Sequence, residues 1–236
     1  MSLAIAGLGA TSAVADPVGG APTAGATTWA VAPSYADVLA AYPARARASR
    51  QAGHAVIFCD FALDGRLSQC IPVSEAPLGE GFADAARKLA RDFRADVSTE
   101  VARQKTLGGG VSLAVVFDPA MLDQARPVLG TPKWTDLPSA MDVDAAFAGT
   151  PKNVGAVRVV LDCKVQQGGV MGGCGVESEQ PAGQGFGQAA LALAAKTRVS
   201  TWTDQGLPVV GGAVRIPIRF ETGAPAPAGA PPAAKP

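Results

Sequence analysis

The sequence contains few of the residues on which metal and catalytic sites are usually built. It has one histidine, His54, and four cysteines among 236 residues, and no two cysteines are spaced as C-x-x-C. A zinc site usually combines closely spaced cysteines with histidines, and a redox dithiol usually lies in C-x-x-C at a helix start. No combination of nucleophile, base and oxyanion donor stands out either. The sequence therefore predicts a protein that is not an enzyme, with no catalytic residue, metal ion or cofactor.

Long runs of positive charge are missing as well. The formal net charge is zero and no run of Lys and Arg occurs. A surface that binds nucleic acid or an anionic membrane needs such a concentration of positive charge. We therefore expect no nucleic-acid partner, and only indirect contact with a membrane unless an anchor lies upstream of this start.

One N-terminal stretch, residues 3–15, is apolar or small and ends in Ala13-Val14-Ala15. This pattern is typical of a secretory signal, although the usual Lys/Arg n-region is missing. A start upstream of Met1 and a flexible Ala-rich N-terminus are the alternatives. Thirteen residues are too few for a membrane-spanning helix. We expect a possible signal segment at residues 1–15 and a periplasmic location.

The most informative feature present is an internal repeat. Residues 59–94 align with residues 163–198 without a gap at a spacing of 104, and 14 of the 36 positions are identical, including both cysteines. A weaker match continues upstream and includes Trp29 and Trp134. A unit of about 90 residues has the size of a small domain rather than of a solenoid repeat. The predicted organisation is therefore a linker (16–28), a first domain (29–117), a second linker (118–133), a second domain (134–220) and a disordered Pro/Ala-rich tail (221–236).

Each repeat contains one C-x10-C pair placed around a predicted hairpin. A two-residue turn at Asp64-Gly65 would set Cys59 directly opposite Cys70, and a turn at Gly168-Gly169 would set Cys163 opposite Cys174. Directly opposed Cα atoms lie about 4.5 to 5.5 Å apart, which a disulfide bridges. The sequence therefore predicts two disulfides within the repeats, with buried free thiols in a reducing compartment as the alternative.

The rest of each repeat has an αββαβ pattern. Helices are predicted at 35–50 and 139–149, and a second helix with an apolar face begins at Phe82 or Phe186 in the respective repeats. A last strand follows a Gly-rich turn. The predicted fold is thus α+β: two tandem small domains, each a three-stranded antiparallel sheet with two helices on one face.

The last strand of each repeat is expected at the border of its sheet, where it could accept an added strand. Pro217 supports an edge position in the second repeat but removes one hydrogen-bond donor there. The first repeat is therefore the better predicted binding edge. The candidate binding residues are Val111, Ser112, Leu113, Ala114, Val115, Val116 and Phe117 in the first repeat and Val214, Arg215, Ile216 and Ile218 in the second.

With these residues in view, each repeat resembles the carboxy-terminal domain of the TonB energy-transducer family. The resemblance rests on the Tyr42-Pro43-x-x-Ala46 motif, the glycine at each hairpin turn, the paired alanines of the second helix and the closing V-x-I-P-I-x-F of 214–220. It is similar to a cysteine-pair subgroup whose E-x-P-x-G-x-G-F-G-x-A-A-L pattern matches 179–191 in full. Copy one departs from that pattern at Ala83 and Arg87, and copy two lacks the Tyr-Pro.

The resemblance implies a periplasmic binding protein that engages extended segments of outer-membrane transport receptors, or of other envelope proteins, by strand addition. One alternative is a membrane-anchored energy transducer whose anchor is missing from this start. Another is a structural envelope module whose edges pair with each other.

Three repeated or conspicuous features are expected to be structural. Glu75 and Glu179 are predicted to lie at the strand-to-helix junctions, where a helix N-terminus stabilises a carboxylate. Trp29 and Trp134 are predicted to share a core or lid role in the two repeats. His54 is predicted to lie at the surface, at the entry to the first hairpin.

Overall fold

The computed structural model describes residues 27–99, 103, 109–123, 127–129 and 132–222. The possible signal segment at 1–15, most of the first linker and residues 223–236 of the predicted tail lie outside this range. The part of the chain that is described is a mixed α+β structure with several sheets. The α+β class predicted from the sequence is therefore confirmed.

The first repeat forms a three-stranded antiparallel sheet in the order β3-β2-β5. Its elements are β1 (Trp29–Val31), α1 (Tyr35–Ala41), α2 (Ala44–Ala48), β2 (Gly53–Phe61), β3 (Leu67–Ala76), α3 (Phe82–Ala90), β4 (Arg94–Ala95) and β5 (Gly110–Phe117). Burial alternates strictly along β5, so one face of the sheet packs on the helices and the other faces away.

The second repeat forms a four-stranded sheet in the order β6-β11-β8-β9. Its elements, after a short 3₁₀ helix (Pro119–Leu122), are β6 (Val128–Leu129), β7 (Trp134–Asp136), α4 (Ala140–Phe147), β8 (Gly155–Val165), β9 (Met171–Gln180), α5 (Phe186–Ala194), β10 (Arg198–Val199) and β11 (Ala213–Thr222). Two short pairs, β1 with β4 and β7 with β10, stand beside the main sheets.

The structure differs from the predicted organisation in three places. The helix predicted at 35–50 is divided into α1 and α2 because Pro43 has no N–H to donate and holds Tyr42 in an extended conformation. The predicted linker 118–133 contains β6, which pairs in parallel with the start of β11 and adds a fourth strand to the second sheet. The strand β11 continues through Glu221 to Thr222, two residues into the predicted tail.

Both hairpins have the predicted cysteine pairing but not the predicted turn. The first loop contains three residues, 63–65, because the Ala62 N–H donates to the Arg66 carbonyl. Gly65, with φ of +81°, takes the left-handed position that such a loop requires. The register then shifts by one residue between Phe58 and Asp60, which brings Cys59 opposite Cys70.

The second hairpin shows the same compensation. Its loop is closed by the Gln166 N–H donating to Val170, and the register shifts between Asp162 and Lys164. Both disulfides are present, with Cα atoms 4.1 Å apart in the first repeat and 4.0 Å apart in the second. Disulfides of this kind persist in oxidising compartments. The protein is therefore suited to an oxidising, extracytoplasmic location.

A tryptophan of the second repeat completes the core of the first. Trp202 is 0% exposed and belongs to the hydrophobic cluster built around β2, β5 and α3. Its ring packs edge-on against Phe93 at 4.9 Å, and Trp29 packs against the same phenylalanine at 4.8 Å. Phe93 is therefore held between two tryptophans, one from each repeat.

Of the predicted core or lid role, a core position is confirmed for Trp29, which is 3% exposed, and is wrong for Trp134, which is 37% exposed. The position equivalent to Phe93 is Thr197 in the second repeat, whose hydroxyl donates to the Leu193 carbonyl. Since no aromatic ring stands there, Trp134 has no equivalent partner to pack against.

Further contacts join the two repeats around this tryptophan. The side chain of Gln167 both accepts a hydrogen bond from the Ala32 N–H at 3.1 Å and donates one to the Ala32 carbonyl at 2.8 Å. The Tyr35 N–H, at the start of α1, donates to the Val210 carbonyl at 2.8 Å. The repeats thus share a hydrogen-bonded and partly apolar contact.

Removing the Trp202 side chain should destabilise the protein strongly. A Trp202→Ala change leaves a cavity in a closed core, and such truncations cost about 3 to 5 kcal/mol. Urea denaturation followed by circular dichroism measures the loss. Trp134→Ala is the matched control, with an expected loss below about 1 kcal/mol because its ring is partly exposed. Equal losses for the two variants would contradict the asymmetric packing.

Removing either disulfide should lower stability by a smaller amount. Each bridge spans 11 residues in sequence, for which the chain-entropy model gives on the order of 2 to 3 kcal/mol. The paired variants Cys59→Ala/Cys70→Ala and Cys163→Ala/Cys174→Ala are compared by the same denaturation. A thiol assay on the denatured, unreduced protein should detect no free thiol. Four free thiols would show that neither bridge forms.

Candidate functional site

The candidate site considered first is the set of strand edges predicted from the sequence. Among the residues that the structure describes, no group of three or more His, Cys, Asp or Glu side chains could hold a metal ion. His54 is exposed near the start of β2. Several aspartates have lowered pKa values, but their partners are surface groups: a hydrogen bond from Arg50 lowers the pKa of Asp123 at the protein surface.

The repeated glutamates cap helices, as the sequence predicted. One carboxylate oxygen of Glu75 accepts hydrogen bonds at 2.8 Å from the N–H groups of Gly81 and Phe82, at the start of α3. Glu179 accepts at 3.1 and 3.0 Å from Gln184 and Phe186, at the start of α5. Each carboxylate satisfies donors that the helix itself leaves unpaired. Their function is to fix the strand-to-helix junction.

The Tyr42-Pro43 motif is also internal. Tyr42 is buried, and its ring packs edge-on against Phe117 at 5.4 Å. Its hydroxyl donates to the carbonyl of Gln51 at 2.7 Å and lies 3.2 Å from that of Phe117. Burial raises the pKa of this hydroxyl. The motif ties the end of α1 to the end of β5 and presents no side chain of Tyr42 for a partner.

The predicted binding edge of the first repeat is partly covered. The N–H of Val116 donates to the Gly206 carbonyl at 2.9 Å, and the indole N–H of Trp202 donates to the Ala114 carbonyl at 3.1 Å. Gly206 has φ of +86°, and a Cβ there would meet the Ala114 carbonyl oxygen at 2.7 Å. The loop 201–207 of the second repeat therefore lies along β5. The expectation that Val111–Phe117 accepts a complete extra strand is wrong at Ala114 and Val116.

The side chains of β5 offer a partner little surface in place of the covered backbone groups. Val111, Leu113, Val115 and Phe117 are buried in the first core. Ser112, Ala114 and Val116 lie on the opposite face and are half-buried. The seven residues predicted as a binding edge thus contribute mainly to the core and to the contact between repeats.

The edge of β11 in the second repeat is covered only at its start. The strand β6 pairs with Ala213 and Val214, and the Ala213 N–H donates to the Pro127 carbonyl at 2.8 Å. From Arg215 to Thr222, no strand among the described residues lies on this side of β11. The open edge is therefore in the second repeat, which the sequence analysis had ranked below the first as a binding edge.

The backbone N–H and C=O groups of β11 point alternately toward β8 and away from it, which determines the groups on the outer edge. Because the Ala213 N–H points away from β8, the backbone groups of Arg215, Pro217, Arg219 and Glu221 point the same way. Pro217 occupies an outward position and offers no donor, as predicted. The side chains of Val214 and Ile216 are buried in the second core and Ile218 packs against it. Of the four predicted residues of this edge, only Arg215 extends an exposed side chain.

Two features of the site were not anticipated from the sequence: the covering loop 201–207 and the open outer edge of β3. A signal for the first was available, because Trp202 aligns with Ser98 and so stands outside the repeat pattern. A large apolar residue present in one repeat only indicates a contact that only that repeat makes.

Comparisons with known proteins add no assignment. No family model, no curated protein and no solved structure matches this chain. Within the residues described, no helix is both long and apolar enough to cross a membrane. The candidate site is therefore defined by geometry alone: an extended strand edge in an α+β protein with two disulfides.

Proposed function

We propose that this chain is a periplasmic, TonB-like binding protein that engages an extended segment of an outer-membrane receptor, or of another envelope protein, by strand addition at the outer edge of β11. The observation that carries the proposal is the outer edge of β11 from Arg215 to Thr222, which no described strand covers. A strand edge of this kind offers a row of backbone donors and acceptors that an extended segment can satisfy.

The short strand β6 supports this use of the edge. It already pairs with the first two residues of β11. The backbone conformation of β11 is therefore one that accepts a neighbouring strand on this side. An incoming segment would continue the same layer beyond Val214.

The exposed charged side chains near the edge of β11 are expected to contribute little to the affinity for an added segment. Arg215 forms an ion pair with Glu177, and Arg219 and Glu221 are exposed. Surface ion pairs are worth little individually. Backbone hydrogen bonds would thus supply most of the affinity, and the side chains would select the segment.

A second candidate function is supported by the covered edge of β5. The hydrogen bonds from Val116 and to Ala114 show that one sheet edge is used within the chain itself. This favours a structural envelope module whose edges are self-paired. In that case the edge of β11 would be expected to meet a second copy of the chain.

Restoring the missing donor on β11 should tighten binding. Pro217→Val adds one outward N–H, and one hydrogen bond contributes about 0.5 to 1.5 kcal/mol, so the affinity should rise several-fold. Short peptides from receptor N-termini are titrated into the purified protein, and backbone amides are followed by NMR. Amides of Arg215, Arg219 and Glu221 should shift.

The matched control is Pro151→Val, which adds an N–H in the exposed loop before β8 instead of on a strand edge. Affinity for the same peptides should then stay unchanged. Arg219→Pro removes an outward donor and should weaken binding. Peptide-induced shifts that leave all β11 amides unperturbed would refute the proposal, and a dimer that protects the same amides would favour the structural alternative.

A further inference from the structure

A groove runs between the start of β3 and the exposed side of α3. Residues 67–70 form its strand side, and Asp84, Arg87, Lys88 and Arg91 line its helix side. Its volume is about 550 Å³, which is within the range of pockets that hold a small ligand or a few residues of a peptide. It lies in the first repeat, on a different sheet from β11.

The strand side of this groove is a sheet edge. β3 is the outermost strand of the order β3-β2-β5, and no strand among the described residues lies beyond it. Only its beginning is met by another segment, through a bridge between Arg66 and Arg94. From Ser68 onward no described strand pairs with this edge, although Pro72 has no N–H to donate there. The helix α3 flanks it.

The helix side of the groove is basic. Three of its side chains are cations and one, Asp84, is an acid. Arg87 forms an ion pair with Asp84. Lys88 and Arg91 have no ion-pair partner among the residues described, and both are exposed. The groove consequently carries a net positive charge that no ion pair among the described residues neutralises.

The two repeats differ in this positive charge, because the second repeat has no cations at the equivalent positions. The positions equivalent to Asp84, Arg87, Lys88 and Arg91 are Gln188, Leu191, Ala192 and Ala195. Both helices bury the same apolar face, with Phe82, Ala86 and Leu89 matched by Phe186, Ala190 and Leu193. Packing of the helix therefore does not require the cations, because the second repeat packs without them.

The face of β3 that points away from α3 is apolar rather than charged. Ile71 is 59% exposed and Val73 is 47% exposed. Ile71 pairs with Phe58, which lies on the face of the sheet away from the helices. A strand added to β3 would thus place alternate side chains toward the cations of α3 and toward these apolar side chains.

We propose that the groove between β3 and α3 binds an extended peptide segment in which acidic and apolar residues alternate. The segment would add to the edge of β3, with its carboxylates directed to Lys88, Arg91 and Arg87 and its apolar side chains beside Ile71. This site is separate from the edge of β11, and either can fail without the other.

The test uses an end-capped eight-residue peptide of alternating Glu and Val, titrated into the full chain to about 1 mM. The amide of Cys70 should shift and become protected from exchange. Raising the salt concentration should weaken binding, since the contact is partly electrostatic. A Lys-Val peptide of the same length should not bind.

The variant Lys88→Glu/Arg91→Glu should weaken binding by roughly tenfold, because two attractions become repulsions. Ala192→Glu/Ala195→Glu is the matched control: it introduces two glutamates at the equivalent exposed positions of the second repeat, and it should leave the affinity unchanged.

Three results would overturn the proposal: no binding of the Glu-Val peptide, equal weakening by both double variants, or full binding of the same peptide after N-methylation of alternate residues. The last would mean that charge alone, without strand addition, holds the peptide. Binding to phosphatidylglycerol vesicles without binding to the peptide would assign the surface to a membrane instead.

Discussion

The burial of Trp202 in the core of the first repeat is the contact on which the arrangement of the chain depends. Its ring needs an apolar site, and Phe93 supplies one face of it. Its indole N–H needs an acceptor once it is buried, and the Ala114 carbonyl on the edge of β5 supplies it. Both requirements bring the loop 201–207 onto β5. As a result, one tryptophan joins the repeats and also covers the edge that would otherwise be the obvious binding surface.

The duplication has produced two units with the same framework and different surfaces. Disulfides, glutamate caps and the apolar face of the second helix occur in both. The two repeats differ at the proposed binding sites: the first repeat has the basic groove beside β3, and the second has the edge of β11 that no described strand covers. If both sites bind as proposed, the chain holds two extended segments on separate sheets.

The hairpins illustrate how a prediction can succeed through two compensating departures. A two-residue turn predicts that Cys59 faces Cys70. The actual loop has one more residue, which alone would shift the pairing, and a bulge after Phe58 shifts it back. At the bulge of the first repeat, Gln69 has φ of +50° and no glycine signals the turn, whereas the equivalent residue of the second repeat is Gly173, at φ of +57°. The disulfide itself holds the two cysteines in register.

The sequence by itself determined the repeat, the α+β class, the cysteine pairs, the capping glutamates and the edge position of Pro217, since each follows from spacing or from the chemistry of a few neighbouring residues. Only the tertiary structure decided which edge stays open. Coverage of β5 by 201–207 depends on a contact between residues 88 positions apart, Ala114 and Trp202, and a pattern within one strand contains no information about such a contact. The groove depends on tertiary structure in part: Arg87, Lys88 and Arg91 stand within five residues of sequence, but only the packing of α3 against β3 places them beside a strand edge.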